Sequence, residues 1–186
     1  FIEDLLYVAR IEGGKLQYHP DYFDFNKMIN DVAAEMRLTT RSHTISVKLV
    51  KTFSMYGDRN RIGQVLTNLI ANAIKYSDHA HSIKVSSTRN TQFVSVTVKD
   101  FGIGISKEKQ DKIFKRFFRV SGSKEDTYRG LGLGLYISAE IVKHHGGIIS
   151  VKSAEGKGAT FIIKLPFKKL ATSKKISSCG GQPAHG

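Results

Sequence analysis

The chain has 186 residues, 40% apolar and 10% aromatic, and its 29 Lys and Arg outnumber 16 Asp and Glu for a formal charge of +13. This suits one domain of ordinary size with extensions, and it contains neither a run of about eighteen apolar residues nor a signal peptide. The lone cysteine, Cys179, excludes an internal disulfide and suits a reducing, cytoplasmic setting.

The elements follow in chain order. Residues 1–12 carry Ile2, Leu5, Leu6 and Ala9 at seam-like spacing and run into Gly13-Gly14, a helix end that reads as the stub of a coiled coil or helical hairpin. Pro20 enforces an extended passage, and residues 22–25 read as a short strand or strand-to-helix corner. From Asp24, the positions Phe25, Met28, Ile29, Val32 and Met36 form an amphipathic helix ending near Leu38. Ile45, Val47 and Leu49 alternate along a half-buried strand at 44–50, followed by a short strand at 53–56.

Residues 58–77 predict a helix with Asp58 as its N-cap. Ile62, Val65, Leu66, Leu69, Ile70 and Ala73 make its core face, while Asn68, Asn72, Lys75 and Tyr76 gather into a second arc. Taken alone, that arc is either solvated surface or the wall of a binding site. Strands at 82–88 and 93–100 form a hairpin around Arg89-Asn90-Thr91. Asp100 shares the parity of Val94, Val96 and Val98, so a carboxylate emerges on the core-facing side, where it requires a donor from a ligand or the protein.

Gly102 and Gly104 permit close backbone approach beyond that strand. A helix at 107–118 carries Ile113, Phe114, Phe117 and Phe118, and the polar stretch 120–132 reads as a disordered segment or a moving lid. Gly130, Gly132 and Gly134 lead into a helix from about Leu133 that ends at Gly146-Gly147. His144 and His145 read as partners of its C-terminal dipole rather than metal ligands. Strands at 148–153 and 159–167 flank the turn Glu155-Gly156-Lys157-Gly158, and residues 168–186 read as a basic disordered tail. Helices and strands intermix without regular βαβ alternation, which predicts an α+β two-layer sandwich with a mixed sheet.

The basic excess admits nucleic acid, anionic lipid or a polyanionic small ligand. No basic helix with interleaved aromatics occurs, nor a zinc-finger, basic-zipper or RNA-recognition signature, so nucleic acid is not expected as a partner. Gly130-Leu131-Gly132-Leu133-Gly134, opening a helix, suits a polyphosphate because free amides and the positive helix end face the anion. The dinucleotide alternative lacks the preceding strand and the following acid. Glu155-Gly156-Lys157-Gly158 lacks the spacer and helix of a P-loop, which leaves a hairpin turn.

Five stretches together are far more specific: Asn68 to Ser77, Asp100 to Gly104, Ile113 to Arg119, Gly130 to Leu135, and Gly156 to Phe161. Their order and spacing resemble the N, G1, F, G2 and G3 boxes of sensor histidine kinases. The resemblance covers about residues 20–167. It implies three divisions: the end of a dimerisation and phosphoacceptor helix with its linker at 1–18, a catalytic ATP-binding domain at 19–167, and the tail at 168–186. The implied fold is the Bergerat or GHKL sandwich, a mixed sheet against three helices with a mobile ATP lid.

The resemblance also implies roles. Asp100 would accept from the adenine amino group with Thr160 as helper, and Tyr76 would pack on the ring. Asn72 and Asn68 would hold Mg²⁺. Lys75 and Arg119 would meet the phosphates, with Arg116 and Lys124 as weaker candidates. Amides of Gly132 and Gly134 would line the triphosphate, and Gly102, Gly104, Gly130 and Leu135 would join them in binding the nucleotide. Hydrolytic members of the superfamily typically carry a glutamate where Asn68 stands. An amide is a poor base, so the implied reaction is transfer from ATP to a histidine, relayed to a response regulator.

None of His19, His43, His79, His81, His144, His145 or His185 resembles an acceptor box. The acceptor is therefore expected upstream of Phe1, on the hairpin of a homodimeric parent that can be membrane-anchored, and this stretch is expected to bind ATP without phosphorylating itself. The alternatives are a nucleotide-binding module or degenerate kinase without transfer activity and, behind it, a hydrolytic ATPase.

Overall fold

Two aspartates open two of the three helices that build the core. The computed structural model describes residues 2–77, 80–119 and 131–168. Asp24 Oδ1 accepts from the Lys27 N–H at 2.8 Å and starts α2 (Phe25–Leu38). Asp58 Oδ1 accepts from the Asn60 and Arg61 N–H groups, both at 3.0 Å, and starts α3 (Arg59–Lys75). These side chains answer amides that have no partner within the helix.

Ahead of them, α1 (Ile2–Glu12) ends at Gly13-Gly14 as its sequence predicts. Its Val8 is 5% exposed, with Tyr7 and Ile11 packed on the core, whereas Leu5 and Leu6 of the seam are 46% and 54% exposed. One side of α1 thus lies on the domain and the seam faces outward.

β1 (Asp21–Asp24) pairs antiparallel with β3 (Ser54–Gly57) in a two-stranded ribbon. The main sheet has the order β2 (Thr44–Lys48), β4 (Ser82–Arg89), β5 (Phe93–Lys99), β7 (Ala159–Pro166), β6 (Ile148–Ser153). β2 and β4 are parallel and the other pairs antiparallel, so the sheet is mixed. Period-two alternation turns Ile83, Val85, Val94, Val96, Val98, Phe161, Ile163 and Leu165 inward. They meet Phe25, Met28 and Ile29 of α2, Leu66, Leu69 and Ile70 of α3, and Ile137 and Ile141 of α5 (Gly134–His144). Burying each such side chain contributes about 1.5–3 kcal/mol, so this single core fixes α3 and α5 against the sheet. Among the described residues, no helix is long and apolar enough to cross a membrane.

One element departs from its sequence reading. The helix expected over 107–118 is only α4 (Lys107–Gln110), followed by turns closed by Lys112 N–H to Lys109 O and Lys115 N–H to Lys112 O. Ile113 enters the core at 4% exposure, while Phe117 takes a left-handed backbone, φ 59°, and is 57% exposed. A left-handed residue cannot continue a right-handed helix. The expected lid lies mostly in 120–130, outside the described residues, as do Lys124 and Gly130 and the expected tail beyond Lys168.

Candidate functional site

The polar arc of α3 begins at a contact with a second helix rather than at open surface, because its first member, Asn68, meets α5. Asn68 Nδ2 donates to Ser138 Oγ of α5 at 2.9 Å, and Ser138 is 1% exposed. Gly134, the first residue of α5, lies so close that a Cβ there would sit 2.4 Å from Asn68 Oδ1. Any larger residue there would have to push the Asn68 amide aside, so glycine lets the N-terminal turn of α5 come this near it. Asn72 lies one turn on in the same arc, half-buried. Lys75 Nζ lies over the Tyr76 ring, 5.1 Å from its centroid.

Asp100 stands just past the end of β5 and is 4% exposed. Its Oδ1 accepts from the Gly102 N–H at 2.9 Å and from the Ala159 N–H at 3.0 Å. Burial pushes its carboxyl up from the ordinary carboxylate range, and the two N–H donors oppose that shift. The loop beyond it is stitched to the end of α3, because Ile103 N–H donates to Tyr76 O at 3.1 Å. A Cβ on Gly102 would fall 1.8 Å from Tyr76 O, so this contact also requires glycine. Gly104 adjoins the Ala154 backbone, and Gly156 N–H donates to Ile103 O at 2.7 Å, joining the loops on either side of Asp100. Tyr76, Asp100, Gly102 and Gly104 therefore form one connected region at the C-terminal end of α3.

Gly132 has a left-handed backbone, φ 70°, against Phe118 O. Leu135 is half-buried in the first turn of α5 and packs on the core. Arg119, exposed, is the last described residue before the segment 120–130. Arg116 ion-pairs with Glu12 of α1 and lies over the Tyr136 ring, which turns it towards the N-terminal helix.

Thr160 is not brought to the carboxylate. It pairs with Lys99 and Lys152 across the sheet, and alternation turns its side chain to the face opposite buried Ala159 and Phe161. The Ala159 N–H occupies the position beside Asp100 instead.

Several partners were not foreseen. Ser138 is a polar residue beside the apolar positions Ile137 and Ile141, and that break in pattern is the signal available in the sequence. Ser77, fully buried, donates to Ala73 O and meets His43 Nε2 at 3.0 Å. At the other end of α3, His145 Nε2 accepts the Asp58 N–H at 3.0 Å and its Nδ1–H donates to Ile141 O at 2.8 Å, which makes the ring neutral. Burial holds its pKa below the usual histidine value. Tyr18 stacks on His144 with centroids 3.5 Å apart, and burial pushes its phenol up to about 12. His144 and His145 are thus packing and hydrogen-bonding groups.

A metal finds no charged cage among the described residues, where no cluster of three His, Cys, Asp or Glu is present. Asn68 and Asn72 offer neutral amide oxygens, a hard donor set that fits Mg²⁺ only when further oxygens arrive with a ligand.

A family model for histidine kinase-, DNA gyrase B- and HSP90-like ATPases matches residues 57–169. The chain is 33% identical over 172 residues to sensor histidine kinase WalK of Bacillus subtilis, covering 90% of this chain and 28% of WalK. It is 36% identical over 174 residues to sensor protein SrrB of Staphylococcus aureus, covering 89% of this chain and 29% of SrrB. The solved histidine kinase AdeS of Acinetobacter baumannii superposes with a TM-score of 0.72 at 32% identity, covering 90% of this chain and 77% of AdeS. The chain spans less than a third of the curated relatives it matches, 28% and 29% of their lengths.

Proposed function

Since this chain belongs to the family of histidine kinase-, DNA gyrase B- and HSP90-like ATPases, we propose that it is the catalytic ATP-binding domain of a sensor histidine kinase. It passes the γ-phosphate of ATP to a histidine on a phosphoacceptor hairpin, for relay to an aspartate of a response regulator. The observation that carries this reading is Asp100: a buried carboxyl whose two N–H partners both end on Oδ1, beside Tyr76. Oδ2 accepts the adenine amino group, a contact that guanine, with a carbonyl there, does not offer. Tyr76 covers the ring, which exchanges one face of the phenol from Lys75 to the base.

The triphosphate runs along the α3–α5 seam to the amides of Gly132, Gly134 and Leu135, with Gly130 completing the set and Lys75 and Arg119 balancing its charge. Asn68 and Asn72 hold Mg²⁺ by their amide oxygens, and the ion, when bound, neutralises phosphate charge. Asn68 turns its Nδ2 to Ser138 and carries no group basic enough to activate water. These residues hold ATP and leave the attack to another nucleophile, so rate comes from positioning and charge stabilisation. The exposed Leu5–Leu6 seam of α1 suits the helical hairpin of a homodimeric parent.

The test is calorimetric binding of Mg·ATP, followed by transfer from radiolabelled ATP to an added histidine hairpin. Binding with transfer is expected. Binding without transfer to any hairpin supports the nucleotide-module alternative, and steady ATP turnover by the chain alone supports a hydrolase.

A further inference from the structure

The helices cover one face of the five-stranded sheet, and the other face carries a charge pattern that the fold does not need. Its outward positions include Lys48 on β2, Lys84 on β4, Lys99 on β5, Lys164 on β7 and Lys152 on β6, all exposed. Most of the remaining outward positions are serine or threonine, and none on these strands is Asp or Glu. Among the described residues, none of these five lysines forms an ion pair.

Lys84 and Lys99 stand directly opposite each other across the antiparallel β4–β5 pair. Like charges in that arrangement cost stability. Both ammonium groups lie over the exposed Phe101 ring, 5.4 and 4.9 Å from its centroid. The register continues the row from Lys99 through Thr160 to Lys152. Three strand spacings separate Lys84 from Lys152, roughly 14 Å, close to the span of carboxylates displayed over two to three turns of an α-helix. Lys152, at one end of the row, shares an edge groove with Glu108 and Glu155 that Lys84 and Lys99 do not line, so those two are the less neutralised part of the row.

We propose that this face docks an acidic helical segment of a partner protein, whose carboxylates neutralise the Lys84–Lys99–Lys152 row. Charge complementarity is the basis, and the details favour protein over other polyanions. The row contains lysine and no arginine, so it lacks the bidentate forks that favour phosphate. Two ammonium groups already lie over the Phe101 ring, so a base stacking on that side would have to displace them. Strand twist of about 20–25° per pair accumulates over five strands into a saddle, which brings few lysines at once to a flat membrane. Phe101 directly follows Asp100, so an occupant here adjoins the back of the candidate nucleotide site without entering it. The proposal stands independently of whether that site transfers phosphate.

The test is fluorescence anisotropy of the full chain at low ionic strength with a labelled helical peptide bearing glutamate at every fourth residue. The double variant Lys84→Gln/Lys99→Gln is expected to bind about tenfold more weakly, at up to about fivefold for each exposed charge pair. Its thermal midpoint is expected to be no lower than that of the unmodified chain, because a like-charge pair has been removed. The off-face double variant Lys27→Gln/Lys143→Gln is expected to stay within about twofold, in line with charges screened over a Debye length. Equal weakening in both variants overturns the proposal, since it makes the binding a general effect of net charge. Tighter binding to phosphatidylserine vesicles or oligothymidylate than to the peptide, lost in the face variant, also overturns it.

Discussion

Asp58 and Asp100 are buried to the same extent, each 4% exposed, at opposite ends of the α3 region, yet their surroundings differ in kind. Asp58 has both oxygens answered by the chain: Oδ1 by Asn60 and Arg61, and Oδ2 by the His19 N–H at 2.8 Å. Its own N–H is taken by His145. Asp100 has two donors on one oxygen, and burial pushes its pKa upward. One carboxylate completes the fold, whereas the other is kept ionisable at a cost to the fold. That difference, which burial alone does not show, is what makes Asp100 rather than Asp58 the candidate binding acid.

The sharpest way to break this contrast is Asp58→Ala. It removes a helix cap and the anchor of the linker together, and is expected to cost about 2–3 kcal/mol in chemical denaturation. Nucleotide affinity of the folded fraction should be unchanged. An affinity loss equal to that of Asp100 variants would erase the distinction.

His145 sharpens the same end by pH. Its folded pKa lies below the ordinary 6.5, so the unfolded chain takes up the proton first as pH falls. The neutral native ring therefore contributes stability that is fully present above 6.5 and is lost as pH falls through the folded pKa. Asp100 has the opposite sign: with its folded pKa raised, stability falls as pH rises through the carboxylate range. Thermal melts from pH 7 to 5 should decline for the unmodified chain and flatten in His145→Gln, whose side-chain oxygen can still accept the Asp58 N–H.

Smaller effects belong to the ligand end. Ser138→Ala removes the partner of Asn68 Nδ2. It is expected to slow phosphate transfer by about five- to tenfold, the equivalent of one hydrogen bond, with ATP affinity nearly retained. Single-turnover transfer against equilibrium binding separates the two. Thr160→Val should change ATP affinity by less than about 0.5 kcal/mol, as for a surface substitution. A larger loss would return Thr160 to the site from which strand alternation excludes it.

Much of this was legible from local pattern. Asp58 and the apolar spacing after it announce α3, and the parity of Val94, Val96, Val98 and Asp100 announces a buried acid. The glycines at 102 and 134 were legible as permissive, but what they permit, a backbone carbonyl at Tyr76 and an amide at Asn68, depends on elements far away in sequence. Alternation along β7 turns Thr160 away from the core, but that Ala159 is the residue beside Asp100 depends on the register across β5 and β7, which neither strand alone reveals. Likewise Phe117 repeats at helical spacing from Ile113, but Ile113 is drawn into the core while Phe117 turns left-handed and outward. Tertiary packing won over periodicity there.

The central claim is that the Asp100 carboxylate is held at a cost to the fold in order to read adenine. Asp100→Asn tests it most directly, because the amide oxygen can still accept from Gly102 and Ala159 while the charge is lost. Calorimetry with Mg·ATP and a thermal melt at neutral pH should be run on the same preparation. The account predicts an affinity loss of at least about tenfold, the scale of a hydrogen bond to a charged group, with a thermal midpoint unchanged or raised. Unaltered affinity, or a fall in thermal midpoint without a fall in affinity, would contradict it.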